Sequence, residues 1–376
     1  MEWVRGDAIG QGNFGSVNLA IPINGGGLAA PFMAVKSCAL SHSASLRNEK
    51  EVMRQLGDCP QIIRCFGDSL SSENGVSLYN VLMEYADGGS LADCLKKCGG
   101  GFPESDVRGY ARSILKGLLH IHRRGFVHCD IKLQNILLCS APDGGKDALK
   151  IADFGLARKS GVKERGAGDG GLEIRGTPMY MSPESVVWGE YDAPSDIWAL
   201  GCAVVELVTG KPAWDCGRGG EIFQLFLRIG VGGETPEIPA ELSEEGKDFL
   251  RECFVRDSKK RWTAETLLNH PFVRDDEDTV PLDKSDGPST SPRCHFDIPE
   301  WVSVASSVCS SLSVTPSLGT ITRLETQVKN SPFDAWDVRS RYSPADRVQQ
   351  LVTGGKPDWS VSESWVTVRP SEEENQ

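Results

Sequence analysis

Between His128 and Gly155 the chain sets two carboxylates and an amide at short separations, on turns that flank apolar, strand-like runs. The stretch reads His128-Cys129-Asp130-Ile131-Lys132-Leu133-Gln134-Asn135, then Ile136-Leu137-Leu138, a polar turn, and Lys150-Ile151-Ala152-Asp153-Phe154-Gly155. Such a set suits phosphoryl transfer. That reaction must bring a hydroxyl into line with a terminal phosphate and hold divalent metal against phosphate oxygens, so carboxylates and an amide have to converge from separate turns. Asp130 can accept or position the hydroxyl. Asn135 and Asp153 offer oxygen ligands of the kind Mg²⁺ takes, a hard cation that keeps several waters and shares its sphere with phosphates.

Elements upstream could supply the phosphate end of that reaction. Ile9-Gly10-Gln11-Gly12-Asn13-Phe14-Gly15-Ser16-Val17 places three glycines between apolar residues. Glycine lets backbone approach phosphate oxygens closely, but the same pattern also serves plain hairpin turns. Ser16 to Ala20 continues as a strand pattern, whereas a dinucleotide fingerprint needs a helix there. Phe32-Met33-Ala34-Val35-Lys36 is an apolar strand ending in a lysine, which is either a solvated strand end or a phosphate ligand. A helix is expected from Ala44 to Leu56, with Leu46, Glu49, Val52, Met53 and Leu56 on one face. Glu51 lies about 200° round from Glu49, so Glu49 is the inward carboxylate and Glu51 a solvated one.

Strand-like Ile62–Gly67 and Leu78–Met83 follow, and Ser90 is a fair N-cap after the Asp87-Gly88-Gly89 turn. Glu104 to Arg124 repeats apolar residues at helical spacing, which makes it core, with His120 and His122 as packing or surface histidines rather than ligands. The helix within Asp192–Thr209 is apolar nearly all round, as a central buried helix must be.

Composition excludes several classes of function. Hydrophobic residues make up 39% of 376 and charged residues 24%, enough for a sizeable core. A formal charge of -12, from 40 basic and 52 acidic residues, argues against tracking a nucleic-acid backbone. The 12 cysteines are scattered without a Cys-x-x-Cys pair, which favours reduced thiols and an intracellular setting, the cytoplasm first and the nucleus second. The first residues lack an apolar signal-peptide core, and the apolar run Ile197–Val205 is too short to span a bilayer, so no membrane partner is expected.

The loop and turn between His128 and Gly155 resemble the eukaryotic protein kinases, whose catalytic loop has the form H-R-D-x-x-x-x-N and whose metal turn is D-F-G. The resemblance covers about residues 1–274. It implies an α+β, two-lobed protein kinase fold, with an N-lobe over about 1–84, a C-lobe over about 87–274, and ATP and Mg²⁺ between them. Carried over residue by residue, it implies Asp130 as the catalytic aspartate with Lys132, Asn135 and Thr177 beside it, and Asn135 and Asp153 as metal ligands. Around the nucleotide it implies Ile9, Gly10, Gly12, Phe14, Gly15, Val17, Ala34, Lys36 with Glu49 as its partner, Met83 behind the adenine, Glu84 and Ala86 in the hinge, and Leu138. His128 would be structural, Asp196 would brace the catalytic loop, and Glu184 would pair with Arg261. Lys132 together with Thr177 marks the serine/threonine branch.

Glu2-Trp3-Val4-Arg5-Gly6, Met33–Cys38, Cys129–Asn135 and Gly176–Ser185 are similar to plant MEKK-like MAP kinase kinase kinases. That resemblance implies serines or threonines in the activation loops of MAP kinase kinases as substrates. An active kinase outside that cascade is the alternative. A non-catalytic kinase-fold scaffold is another, although its usual sign, a missing lysine or aspartate, is not found here.

Two positions depart from the pattern: Cys129 replaces the usual arginine, and Ser182 replaces the alanine of A-P-E. That arginine pairs with a phosphate on the activation loop in many kinases. A thiol cannot, and Ser160 is the sole hydroxyl between Leu156 and Gly176, so activity is expected not to depend on loop phosphorylation.

From about Asp275 to Gln376 the chain turns acidic and then rich in Ser, Thr and Pro, as expected of a mostly disordered regulatory or docking tail. Ser291, Thr315, Ser331 and Ser343 each precede proline. Such dipeptides are common in tails, and they are also acceptors for feedback by a MAP kinase. Phe296–Val302 and Glu363–Val368 carry tryptophans that either dock, on a partner or on the kinase itself, or are incidental.

Overall fold

Strand-forming residues on either side of each glycine-rich or polar turn build the first layer. The computed structural model describes residues 2–12, 15–23, 32–140, 147–161, 174–215 and 222–274. Phe14 and everything from Asp275 onward, including the Ser/Thr-Pro sites and tail tryptophans, lie outside the described residues. β1 (Trp3–Gly12), β2 (Gly15–Pro22), β3 (Met33–Ala39), β4 (Cys65–Glu73) and β5 (Val76–Glu84) form an antiparallel sheet in the order β1-β2-β3-β5-β4. α1 (Ala44–Leu56) lies between β3 and β4 in the chain and buries Leu46, Glu49, Val52, Met53 and Leu56, the face expected from its periodicity.

The run Ile62–Gly67 does not form one strand. Ile62 makes an isolated parallel bridge to Ile151, and the Ile63 N–H donates to the Ile151 carbonyl at 3.0 Å. Its two isoleucines are buried where the N-lobe meets the C-lobe, and β4 begins only at Cys65. An apolar pair that reads as strand is thus used to join the lobes.

The second lobe opens with β6 (Gly89–Ser90) and α2 (Leu91–Cys98). A capping box starts α2: the Ser90 hydroxyl accepts from the Asp93 N–H, and the Asp93 carboxylate accepts from the Ser90 N–H. α3 (Glu104–Arg123), β7 (Phe126–Val127), β8 (Ile136–Cys139), β9 (Ala148–Ile151) and β10 (Arg158–Lys159) follow. α4 (Pro183–Trp188), α5 (Ala193–Thr209), α6 (Ile222–Gly230), α7 (Glu244–Cys253) and α8 (Ala264–Leu267) complete the described chain. Twelve of the 17 residues of α5 are buried, which makes it the axis of this lobe.

β6, β8 and β9 form a small sheet, and β10 pairs with β7. The loop that carries Asp130 is therefore strung between β7 and β8, with paired strand at both ends. Among the described residues all nine cysteines are free, and no helix is long and apolar enough to cross a membrane.

Candidate active site

Sheet register brings the phosphate-end residues together. Val17 lies opposite Lys36, and Lys36 opposite Val81; one pleat along the strands, Leu19, Ala34 and Met83 form the equivalent row. Gly10 pairs with Val17, and Gly12 with Gly15, so the described part of the glycine loop is an antiparallel hairpin. Gly15 has φ 143°, and a Cβ there would lie 2.0 Å from the Ser37 carbonyl oxygen, so no side chain fits.

Lys36 is the point at which the lobes' chemistry meets. Its Nζ lies 2.7 Å from Glu49 Oε2 and 2.9 Å from Asp153 Oδ1, with Lys36 and Glu49 both almost fully buried. Burial pushes the Lys36 ammonium down, and the Asp153 and Glu49 carboxylates more than offset this, holding it above its ordinary value. Burial likewise pushes the Asp153 carboxyl up, and Lys36 overrides it, so Asp153 sits below its ordinary value. Glu49 is as expected the inward carboxylate, while the Glu51 side chain is 45% exposed and bound to Arg54 at 2.6 Å.

Asp130 is held from several sides. Asn135 Nδ2 donates to Asp130 Oδ2 at 2.7 Å and to its backbone carbonyl at 2.9 Å, and Thr177 Oγ1 donates to Oδ1 at 3.2 Å. Lys132 Nζ stands 3.8 Å from Oδ2. Burial pushes the Asp130 carboxyl well up from its ordinary value, opposed by Lys132 and by the Asn135 and Thr177 hydrogen bonds. Burial lowers Lys132 to about 8, with Asp130 pulling the other way. A carboxylate oxygen has two acceptor positions, so Asp130 can take a hydroxyl proton while keeping these bonds.

The loop's backbone is shaped by one carboxylate. Asp196 Oδ2 accepts the His128 N–H at 2.9 Å, and Oδ1 accepts the Cys129 N–H at 3.0 Å. Cys129 has φ 66°, a left-handed conformation that costs a β-carbon residue about 1–3 kcal/mol and needs such a clamp. His122 Nε2 also lies 2.9 Å from Asp196 Oδ2, a bond to the clamp that sequence reading missed because its partner is 74 residues away.

His128 Nδ1 accepts the Asp130 N–H at 3.2 Å while Nε2 faces the Ala152 carbonyl at 3.1 Å, a pattern that assigns the ring proton to Nε2. Burial holds this imidazole below its ordinary pKa, and its ring packs edge-on against Phe154 at 4.9 Å. His128 therefore couples the two turns as a neutral strut. Burial pushes the Cys129 thiol well up, so it stays protonated.

At the hinge, the Glu84 carboxylate takes Lys150 Nζ at 2.9 Å and the Arg64 N–H at 3.1 Å, which ties the end of β5 to β9. The Ala86 carbonyl accepts the Gly89 N–H at 3.4 Å. Leu138 accepts the Gly88 N–H at 3.0 Å, and a Cβ on Gly88 would lie 2.7 Å from that of Leu138. Leu137 alternates to the opposite face of β8, and sequence reading left it out. Ile9 is exposed on β1.

The Thr177 segment is locked from below. Gly176 has φ 97°, and a Cβ there would lie 2.5 Å from the Cys129 carbonyl. The Tyr180 hydroxyl bonds to the Glu206 carboxylate on α5. Ser182, where the family has alanine, is the N-cap of α4 and shares a 2.8 Å hydroxyl bond with Ser185. Arg261 forks onto Glu184 at 2.6 and 2.9 Å.

Among the described residues no cluster of three His, Cys, Asp or Glu could hold a metal by itself. Asn135 spends its amide nitrogen on Asp130, leaving its amide oxygen, and Asp153 gives Oδ1 to Lys36, leaving its second carboxylate oxygen. Two hard oxygen donors fit a divalent cation whose remaining ligands are phosphates and water.

A model of the protein kinase domain matches residues 3–273. The chain is 48% identical to mitogen-activated protein kinase kinase kinase 20 of Arabidopsis thaliana, over 98% of this chain and 100% of that protein. It is 39% identical to mitogen-activated protein kinase kinase kinase 17 of the same plant, over 81% of this chain and 78% of the relative. With mitogen-activated protein kinase kinase kinase A of Dictyostelium discoideum it shares 34%, over 75% of this chain and 29% of the relative.

Proposed function

The chain belongs to the protein kinase family, among the mitogen-activated protein kinase kinase kinases, and from that premise we propose that it phosphorylates serine or threonine in mitogen-activated protein kinase kinases. It is a serine/threonine protein kinase. The names of its relatives support the substrate class. The observation that carries the catalytic reading is Lys36 bound at once to Glu49 and Asp153, beside an Asp130 aligned by Asn135 and Thr177.

When bound, ATP and Mg²⁺ supply the transferable phosphoryl group and neutralise its oxygens. Asp153 and Asn135 would hold the metal, and Lys36, kept charged and in place by Glu49, would hold phosphate oxygens. Gly10, Gly12 and Gly15 admit backbone close to the phosphates. Ala34, Met83 and Val17, with one of the two β8 leucines, enclose the base, and the Glu84–Ala86 backbone lies along its edge. Asp130 orients the acceptor hydroxyl and takes its proton, Lys132 stabilises charge beside it, and Thr177 fixes the carboxylate's rotation. Ser291, Thr315, Ser331 and Ser343 fit feedback by a proline-directed kinase, which phosphosite mapping with an active MAP kinase would detect.

The test is phosphorylation of a panel of catalytically dead mitogen-activated protein kinase kinases by this chain, by Lys36→Met and by Asp130→Asn. Activation-loop phosphate is expected with the unaltered chain, and a fall of roughly 10²-fold or more with either variant. Equal signal from all three would overturn the catalytic assignment. Phosphate on a generic protein but on no member of the panel would overturn the substrate class alone.

A further inference from the structure

Ser160 stands at the junction of two elements that shape the catalytic loop. Its exposed hydroxyl donates to Asp192 Oδ1 at 2.9 Å, and the Gly161 N–H donates to the same oxygen at 2.9 Å. The Ser160 N–H donates to the Gly125 carbonyl at 2.8 Å. Asp192 is the N-cap residue of α5, yet its carboxylate makes no capping bond and is spent on Ser160 and Gly161 instead. Four residues on, Asp196 holds the His128 and Cys129 N–H groups. On the other side β10 runs directly into Ser160, and its partner β7 runs directly into His128. The start of the activation loop and the backbone of the catalytic loop thus share a strand pair and a helix start.

We propose that Ser160, which need not be phosphorylated for the kinase to be active, is instead an inhibitory phosphorylation site whose phosphate opens the clamp to Asp192. The acceptor is exposed, is the one hydroxyl between Leu156 and Gly176, and follows Arg158-Lys159, a context suited to a kinase that reads basic residues. Transfer forms a bond from Ser160 Oγ to the γ-phosphorus of ATP, breaks that phosphorus's bond to the ADP oxygen, and releases the hydroxyl proton. The product carries a charge of about −1.5 to −2 at neutral pH, and its Oγ no longer has a proton to donate to Asp192. Two anions then face each other where a hydrogen bond stood. Arg158 and Lys159 are the nearest cations along the chain, and pairing with either draws the phosphate away from Asp192, which also opens the clamp. Release loosens β10 against β7 and the start of α5, and with them the turn that aims Asp130.

The inference rests on the kinase reading for one of its two readouts. The full chain carrying phosphoserine at position 160 would be compared with the unmodified chain for initial rate on a generic protein substrate and for amide exchange at Gly161. Phosphoserine should lower the rate about tenfold or more and speed Gly161 exchange, whereas Ser160→Ala should stay within about twofold. Asp192→Asn keeps an acceptor for the Gly161 N–H without the charge, and in the phosphoserine chain it should restore most of the rate. A phosphoserine chain as active as the unmodified one, or more active, would overturn the proposal, as would a loss with Gly161 protection intact or without rescue by Asp192→Asn. An inactive unmodified chain would instead overturn the kinase reading, and the two failures are distinguishable because the exchange arm needs no activity.

Discussion

Asp130 and Lys132 share one buried corner, and their protonation sets a pH signature. Lys132 falls from an ordinary 10.5 to about 8 because burial disfavours its charge. Below pH about 8 it is an ammonium beside Asp130, and above it a neutral amine, so kcat/KM for a protein substrate should fall as pH rises through about 8. Lys132→Arg, which stays charged, should remove that alkaline limb. Stability should move the other way. The folded chain sheds this proton before the unfolded chain does, so this group raises stability between pH about 8 and 10.5. Opposite trends in rate and in denaturant midpoint would separate titration from unfolding; parallel trends would refute the assignment.

Gly176 gives a second prediction at this scale. Its φ of 97° and the 2.5 Å approach to the Cys129 carbonyl leave no room for a methyl group. Gly176→Ala should lower kcat about tenfold or more, since backbone must shift where Thr177 meets Asp130, while KM for ATP changes little. At residue scale the site was legible wherever function depends on side-chain type at short spacing, as with Asp130, Asn135 and Asp153. His122 and Glu84 were not read for their bonds, because their partners lie 74 and 66 residues away.

Elements add constraints that no single residue carries. α1 was legible with its face and both ends, because a 13-residue amphipathic run has one solution that buries Leu46, Val52 and Leu56. The start of β4 was not, because periodicity does not say which partner takes an apolar pair, and Ile62 and Ile63 are buried at the join to Ile151. α6 escaped notice as well: Ile222 to Ile229 is short and apolar, ambiguous between helix and strand.

α4 and α5 are joined to the α7–α8 connection by Arg261, which forks onto Glu184, donates to the carbonyls of Pro194, Val255 and Arg256, and stacks over Trp198 at 5.1 Å. Removing one partner of such a buried pair leaves the other charge uncompensated. Arg261→Ala should therefore cost about 3–5 kcal/mol in denaturant unfolding, and Arg261→Lys, which lacks the planar fork, should not recover it. A loss under about 1 kcal/mol would place the strength of this junction elsewhere.

Across the whole molecule, the contacts among the described residues that join the lobes differ in kind and include a strand bridge at Ile62 and Ile151, a 2.8 Å contact from His120 Nε2 to the Leu56 carbonyl, an ion pair from Glu84 to Lys150, and the Lys36–Asp153 pair at the chemistry itself. The fold was legible because its motifs recur in order along one chain.

The clamp on the catalytic loop also bears on how the chain is made. Asp196 follows His128 by 68 residues, and Arg261 follows Glu184 by 77. At about 5–20 residues per second, a ribosome emits the catalytic aspartate some 3–13 s before the carboxylate that holds its backbone. Until then nothing fixes the strained turn at Cys129, and the apolar residues that later close over α5 have no partner. Nascent chains stopped before Asp196 should stay bound to chaperones, and the catalytic loop, first to be recognised in the sequence, should be among the last parts of the lobe to take shape.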